Sequence, residues 1–100
     1  MKLIFTDSFT LTTEATLIQK GATPGNGVMP IGLDIRTVRL ELVTATDTIA
    51  VRGINEASNW VTQRVGQGFL IERFGSDERY AYYVKASSGS VVVNLYAEGE

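Results

Sequence analysis

The sequence predicts an all-β fold: a single-domain antiparallel β-sandwich of about eight strands, jelly-roll or immunoglobulin-like, over residues 1–100. Three observations support this prediction. Valine, isoleucine and threonine supply 28 of the 100 residues, and their branched Cβ atoms pack well on a pleated sheet. Apolar and polar residues alternate along several segments, which is the period of a half-buried strand. Turn sequences separate these segments at intervals of roughly 8–12 residues, as in sandwiches and barrels.

The first third of the chain, residues 1–34, is predicted to form an arm plus edge strands. Strands are expected at residues 3–5 and within residues 9–20. The expected core residues of this segment are Leu11, Leu17 and Ile18. Residues 21–27 hold three glycines and one proline, a composition typical of a flexible loop. Pro30 has no amide hydrogen to donate, so residues 28–33 are predicted to form an edge strand.

The middle of the chain predicts four more strands. In residues 36–44 three apolar residues alternate with three polar ones, so the apolar side chains face the core. They are Val38, Leu40 and Leu42, alternating with Thr37, Arg39 and Glu41. A turn follows, and residues 48–52 form the returning strand, with Ile49 and Val51 facing inward. Two further strands are expected at residues 60–64 and 69–74.

The last predicted element is a β-hairpin. One face of its first strand carries Tyr80, Tyr82, Val84 and Ala86, and one face of its second strand carries Val91, Val93 and Leu95. The link between them is Ser87-Ser88-Gly89, and short links that contain glycine are common in hairpins. Gly89 is expected to have a positive φ, which glycine adopts without a Cβ clash.

The residue types exclude most enzyme chemistry. The chain has no cysteine and no histidine, so it lacks a thiol nucleophile, a thiolate zinc site and an imidazole base. Asp77 and Glu78 are the only adjacent carboxylates, and they lie in a predicted turn, whereas glycosidase carboxylates face each other across a cleft. We therefore predict a protein that is not an enzyme, with no catalytic residue, no metal ligand and no cofactor.

Charge and hydropathy exclude two classes of partner. The net charge is −2, which argues against nucleic-acid binding. The longest apolar run, residues 80–84, is five residues, far short of the roughly 20 needed to span a membrane. We therefore predict neither a nucleic-acid partner nor a membrane partner.

A few residues are candidates for recognition. Trp60 is the candidate recognition aromatic, although a single tryptophan in a sandwich more often belongs to the core. Arginines at positions 64, 73 and 79 are predicted to cluster near Tyr83 on one outer face. Such a cluster is either a solvated face or a protein-interface patch, and arginine and tyrosine are enriched in such interfaces. The candidate interface residues are Leu3, Phe5, Arg73, Arg79 and Tyr83.

The last third of the chain carries a family signal. A strand is followed by a charged turn, an aromatic-rich strand ending Ala-Ser-Ser-Gly, and a valine-rich strand ending in an acidic residue. Residues 69–98 run FLIERFGSDERYAYYVKASSGSVVVNLYAE. This succession resembles the closing strands of small bacteriophage virion proteins. They are β-sandwich or jelly-roll capsid decoration (cement) proteins and related head and tail components.

The resemblance implies a non-enzymatic virion structural protein, most simply a capsid decoration protein that bridges neighbouring capsomers and stabilises the shell. The implied partner is the major capsid protein or another virion protein. The implied location is the capsid surface, after synthesis in the host cytoplasm. A homo-oligomer is expected, preferably a trimer, because decoration proteins often occupy three-fold sites. Two alternatives stay open: a tail or neck component of the same fold, and a carbohydrate-binding module that uses Trp60 and a tyrosine.

Overall fold

A computed structural model describes residues 2–44, 48–53, 60–64, 69–72 and 82–100. These residues form nine strands. In chain order they are β1 (Lys2–Leu11), β2 (Thr16–Gly21), β3 (Val28–Pro30), β4 (Ile35–Leu42), β5 (Thr48–Gly53), β6 (Val61–Arg64), β7 (Phe69–Glu72), β8 (Tyr82–Ala86) and β9 (Val91–Gly99). Within these ranges no helix is long and apolar enough to cross a membrane.

The strands form two sheets that pack face to face, which confirms the predicted β-sandwich. The four-stranded sheet has the order β1-β9-β4-β7, and the five-stranded sheet has the order β3-β2-β8-β5-β6. The strand pairs are antiparallel except for β2 with β3, which is parallel. Successive side chains of a strand point to opposite faces. The two inner faces therefore close on one core, and the two outer faces are left for solvent or a partner.

The strand pairing is nested, as in a jelly roll. The first strand, β1, pairs with the last, β9; inside that pair lie β2 with β8, β4 with β7, and β5 with β6. These successive pairs fall alternately on the two sheets, so the chain resembles one long hairpin that has been rolled up. β3 is an additional edge strand. Of the two predicted topologies, this connectivity is the jelly roll and not the immunoglobulin fold.

The core lies between the sheets at the positions that the alternation predicted. Val38, Leu40 and Leu42 are buried, and the intervening Arg39 is exposed. Ile49 is buried, and Val51 is half-buried against the core. The largest fully buried side chains come from both sheets: Leu11, Ile18, Met29, Ile35, Val38, Leu40, Val84, Val93 and Leu95. Burying a side chain of this size stabilises the fold by about 1.5–3 kcal/mol.

Leu17 was predicted to be a core residue together with Ile18, and this prediction is wrong. Neighbouring residues of a strand point to opposite faces, so both cannot face the same core. Ile18 is fully buried, whereas Leu17 is half-buried. Leu17 is the cross-strand partner of Tyr83, which places it on the outer face of the five-stranded sheet.

The predicted final hairpin is also wrong, although the predicted faces are right. The side chains predicted to face inward are buried: Tyr82, Val84, Ala86, Val91, Val93 and Leu95. However, β8 pairs with β2 and β5, and β9 pairs with β1 and β4 in the other sheet. Ser87-Ser88-Gly89 therefore carries the chain from one sheet to the other. Gly89 has the expected positive φ, 61°.

The same error affects the predicted return from β4 to β5, because these strands also belong to different sheets. Alternation shows which side chains face inward. Two strands that face each other across a core alternate in the same way as two strands that are hydrogen-bonded side by side. The pattern therefore predicts facing and leaves the pairing undetermined.

The N-terminal segment supplies two edge strands and one inner strand. β1 pairs along its length with β9, β2 lies inside its sheet, and β3 lies at an edge, as Pro30 predicted. Residues 21–27 were predicted to be a flexible loop, but Gly21 ends β2. The rest of this segment is tied to β3 by two backbone hydrogen bonds of 2.9 and 3.0 Å between Gly25 and Val28. Gly27 is buried with a φ of 94°. A Cβ there would lie 2.7 Å from Ile18 Cδ1, so packing and conformation both require glycine.

Candidate functional site

The outer face of the five-stranded sheet brings two cations and two aromatic rings together. They are Arg52, Trp60, Tyr83 and Lys85, which we call the cationic–aromatic face. Val84 faces the core, so its neighbours Tyr83 and Lys85 face outward. Arg52 is the cross-strand partner of Tyr83. Trp60 comes one residue before Val61, the partner of Val51, and this register brings Trp60 beside Arg52.

The cations of this face lie against the rings. The guanidinium carbon of Arg52 is 4.3 Å from the ring centroid of Tyr83 and 5.1 Å from that of Trp60. The Nζ atom of Lys85 is 4.3 Å from the Trp60 centroid. Each such contact is worth about 0.5–1 kcal/mol at an exposed site. The contacts also hold the two cations in place above a rigid sheet.

The charges of this face lack carboxylate partners within the described ranges. The ion pairs found there join Arg36 to Asp34 and Arg39 to Glu41. Arg52 donates from Nη1 to the backbone oxygen of Gly53 at 3.2 Å, while its Nε is buried without an acceptor. The face therefore offers positive charge and aromatic surface.

The structure places the two candidate aromatics on this face. Trp60 is half-buried on the outside of the sheet, where it fits the recognition role better than the core role. Tyr83 also lies on this outer face, where it is half-buried. Arg64 belongs to β6, but its side chain is not among those described. Arg73 and Arg79 lie outside the described residues.

Two of the predicted interface residues, Leu3 and Phe5, are separate from this face. Leu3 lies on β1 with 54% of its surface exposed. Phe5, on the same strand, is half-buried against the core. Tyr80, Asp77 and Glu78 fall outside the described residues, and so does the turn predicted at residues 75–78. The structure therefore does not bring Leu3 or Phe5 to the cationic–aromatic face.

Arg52 and Lys85 are the residues that sequence reasoning missed. A signal was present, because Arg52 follows the inward-facing Val51, and Lys85 follows the inward-facing Val84. Alternation therefore places both cations on an outer face. What the sequence did not reveal is that β5 and β8 are neighbours, and it is this long-range pairing that joins the two cations to the rings.

The outer face of the four-stranded sheet carries a second cluster. It consists of Arg39, Glu41, Asn94 and Tyr96, which we call the paired polar patch. The Arg39 guanidinium carbon lies 4.4 Å from the Tyr96 centroid, and its Nη1 lies 3.8 Å from Glu41 Oε2. Asn94 Nδ2 and the Tyr96 hydroxyl donate to Glu41 Oε1 at 3.2 and 3.0 Å. These hydrogen bonds, with a smaller contribution from the charge of Arg39, lower the pKa of Glu41 below its ordinary value.

A shallow groove of about 530 Å³ lies beside this patch, lined by Thr6, Asp7, Ser8, Asn94, Leu95 and Tyr96. Asp7 is its carboxylate. The Ser8 amide donates to Asp7 Oδ1 at 2.9 Å, and Asp7 Oδ2 is buried without a donor. Glycoside hydrolysis uses two carboxyl groups that face each other, and the lining of this groove supplies one. Across the described ranges, no three acidic side chains lie close enough to hold a metal ion.

Asp7 has a structural explanation in the edge strand that carries it. It is the partner of the buried Leu95, so it points toward the inner side of β1. The register of β1 is also irregular between Leu3 and Phe5. Inward-pointing charges and bulges both protect an exposed edge from pairing with other strands. Asp7 is therefore explained as a feature of the edge and not as a reactive group.

Comparison with known proteins adds no assignment to this geometry. No family model, no curated protein and no solved structure matches the chain. The functional argument therefore rests on the residues themselves. Of the two outer faces, the cationic–aromatic face is the one on which cations lie against aromatic rings without a carboxylate partner in the described ranges, and we take it as the candidate site.

Proposed function

We propose that this protein is a non-enzymatic virion structural protein, a capsid decoration protein that stabilises a shell by protein–protein contacts. Its partner is the major capsid protein or another virion protein, and it acts at the capsid surface. The resemblance of residues 69–98 to phage virion proteins supports this proposal. The jelly roll supports it as well, because this fold is common among viral capsid domains.

The observation that carries the proposal is the composition of the cationic–aromatic face. Tryptophan, tyrosine and arginine are the residues that dominate the binding energy of protein interfaces. Here Trp60, Tyr83 and Arg52 lie side by side on a sheet with a packed core beneath it. A rigid platform of this kind loses little freedom on docking. Many copies, each contributing a modest contact, would add up to a stabilised shell.

The proposal includes a closed homo-oligomer, a trimer by preference. β1 is a ten-residue edge strand with Leu3 exposed, and it offers a surface for contact between copies. The inward-pointing Asp7 and the irregular register of β1 oppose unlimited strand addition. These features favour assembly into a closed ring and disfavour assembly into an open-ended fibre.

The test is sedimentation with empty shells assembled from the major capsid protein encoded in the same genome. We expect the protein to sediment with the shells and to raise their melting temperature. The double variant Arg52→Gln, Lys85→Gln should bind at least about tenfold more weakly, and Arg39→Gln, on the other outer face, should bind normally. Light scattering should give a mass near three times 10.9 kDa. A monomer that does not bind the shells, or a genome that encodes no capsid protein, would overturn the proposal.

A carbohydrate-binding module is the second candidate. The observation in its favour is that Trp60 and Tyr83 lie on the same outer face, as in aromatic platforms on which sugars stack. The contacts of Arg52 and Lys85 with these rings count against it, because they occupy aromatic surface that a neutral sugar would need. Saturable quenching of Trp60 fluorescence by a neutral oligosaccharide would favour this candidate. A tail or neck component would differ from the decoration protein only in its partner.

A further inference from the structure

We propose that the cationic–aromatic face binds a carboxylate-rich segment of a partner protein; this inference rests on the proposed role in protein–protein contact. Arg52 and Lys85 place two positive charges on one outer face. Neither forms an ion pair with a carboxylate in the described part of the chain. The partner that complements this face therefore carries the missing negative charge.

The two cations are held in place before any partner arrives. Arg52 lies near two rings, at 4.3 and 5.1 Å, and donates to the backbone oxygen of Gly53. Lys85 lies near one ring, at 4.3 Å. Long cationic side chains ordinarily lose much rotamer freedom when they form an ion pair. Because these contacts already restrict them, a carboxylate that binds here encounters a smaller entropic cost.

The neighbouring residues favour approach from outside the sheet. Ala50 is the cross-strand partner of both Lys85 and Thr62, and its side chain is small. Thr62 is exposed and uncharged. The row from Lys85 through Ala50 to Thr62 therefore presents no carboxylate of its own. A glutamate or aspartate of the partner that binds the Lys85 ammonium group therefore displaces no ion pair within the described ranges.

The chemistry favours protein carboxylates over other anions. A nucleic acid is a polyanion whose binding strengthens with the number of cations that neutralise phosphates. The described face supplies two such cations, on a chain whose net charge is −2. An acidic protein segment needs only one or two carboxylates to be satisfied, and its apolar side chains can pack against Trp60, Tyr83 and Leu17.

The fluorescence of Trp60 provides the test, because the chain has a single tryptophan. The probe is a short glutamate-rich peptide, compared with the same peptide carrying glutamine in place of glutamate. We expect the glutamate peptide to change the emission saturably and the glutamine peptide to bind at least about tenfold more weakly. A higher salt concentration should weaken binding of the glutamate peptide, because salt screens exposed charges.

Two variants separate this face from general electrostatics. The double variant Arg52→Gln, Lys85→Gln should bind the glutamate peptide at least about tenfold more weakly, while its circular dichroism spectrum stays unchanged. Arg39→Gln is the matched control, since Arg39 also lies on a tyrosine ring but belongs to the other outer face. It should bind the glutamate peptide with wild-type affinity.

Several results would overturn the inference: equal binding of the two peptides, full binding by the double variant, or an equal loss in the Arg39 control. Tighter binding of a short oligothymidylate than of the glutamate peptide would assign the face to nucleic acid instead. Peptide binding without capsid binding would leave this inference standing and remove the decoration role. Capsid binding that survives the double variant would keep the decoration role and move it to another surface.

Discussion

On each outer face of this sandwich an arginine lies against a tyrosine ring, but in the described ranges only one of the two arginines also pairs with a carboxylate. On the four-stranded sheet Arg39 lies 4.4 Å from the ring of Tyr96, and on the five-stranded sheet Arg52 lies 4.3 Å from the ring of Tyr83. Glu41 forms an ion pair with Arg39 and accepts a hydrogen bond from the hydroxyl of Tyr96. In the described ranges no carboxylate forms an ion pair with Arg52. The comparison shows that the same arginine–tyrosine contact can either include a carboxylate partner or leave the arginine without one in the described ranges.

The difference begins in the local sequence. Glu41 is two residues from Arg39 on β4, so strand alternation places both on the same face. The corresponding neighbour of Arg52 on β5 is Ala50. One strand therefore carries its own counter-ion and the other does not. The face on which the described residues supply no counter-ion is the one that also holds Trp60 and Lys85.

The largest expected effect comes from removing the support beneath the paired polar patch. Leu40 is 2% exposed, directly between Arg39 and Glu41. Leu40→Ala should lower the free energy of unfolding by about 2–5 kcal/mol, because it leaves a cavity in the core. Glu41→Ala, on the outer face, should change it by less than about 1 kcal/mol. Urea denaturation measures both, and a larger loss for Glu41→Ala would mean that the assigned faces of β4 are reversed.

The next effect concerns the connection between the two sheets, at Gly89. Its φ is 61°, and a Cβ there would meet no atom within 4 Å. Gly89→Val should therefore destabilise through backbone conformation alone, by about 1–2 kcal/mol. Gly32→Val is the control, because Gly32 also has open space around it and no positive φ. Equal melting temperatures for the two variants would contradict this account of the turn.

A smaller effect is expected from adding a carboxylate to the cationic–aromatic face itself. Thr62→Glu adds a carboxylate on the same face as Lys85, across the small Ala50. We expect it to weaken binding of the glutamate peptide by about tenfold, while a surface ion pair adds at most about 1 kcal/mol of stability. Thr62→Gln has nearly the same shape and no charge, so it should bind as the wild type does. Equal affinities for the two variants would show that the available charge does not govern binding.

The smallest expected effect is a titration in the paired polar patch. The pKa of Glu41 is lowered by hydrogen bonds from Asn94 and Tyr96, so Tyr96→Phe should raise it toward its ordinary value. The stabilisation from Glu41 is present at neutral pH and is lost as the pH falls through the lowered folded-state pKa. Carboxyl carbon NMR across the acidic range measures this. An unchanged Glu41 midpoint in Tyr96→Phe would show that the hydroxyl does not act on this carboxylate.

Facing was predictable from the sequence, and pairing was not. The inward positions of β4, such as Val38 and Leu40, follow from a pattern that is local to the strand, and so does the positive φ of Gly89. The neighbours of β8 and β9 are set by contacts between segments far apart in the chain, to which alternation is insensitive. For this reason the connection between β8 and β9, which crosses from one sheet to the other, was predicted to be a hairpin.

The candidate site shows the same division. Trp60 and Tyr83 could be selected by residue type, because large aromatics are rare and commonly functional. Arg52 and Lys85 could be placed on an outer face, but an outward-facing cation is ordinary in any strand. Their significance comes from the pairing of β5 with β8, which sequence periodicity does not encode.

The nested pairing also has a consequence for how the chain is made. β8 lies between β2 and β5, and β9 lies between β1 and β4, so the last two strands to leave the ribosome occupy the middle of both sheets. Until they emerge, β1 and β2 have no antiparallel neighbour, and their apolar residues stay uncovered. Loop closure over such separations is slow. A nascent chain that stops before residue 82 therefore lacks the central strand of the five-stranded sheet, and one that stops before residue 91 lacks the strand that joins β1 to β4.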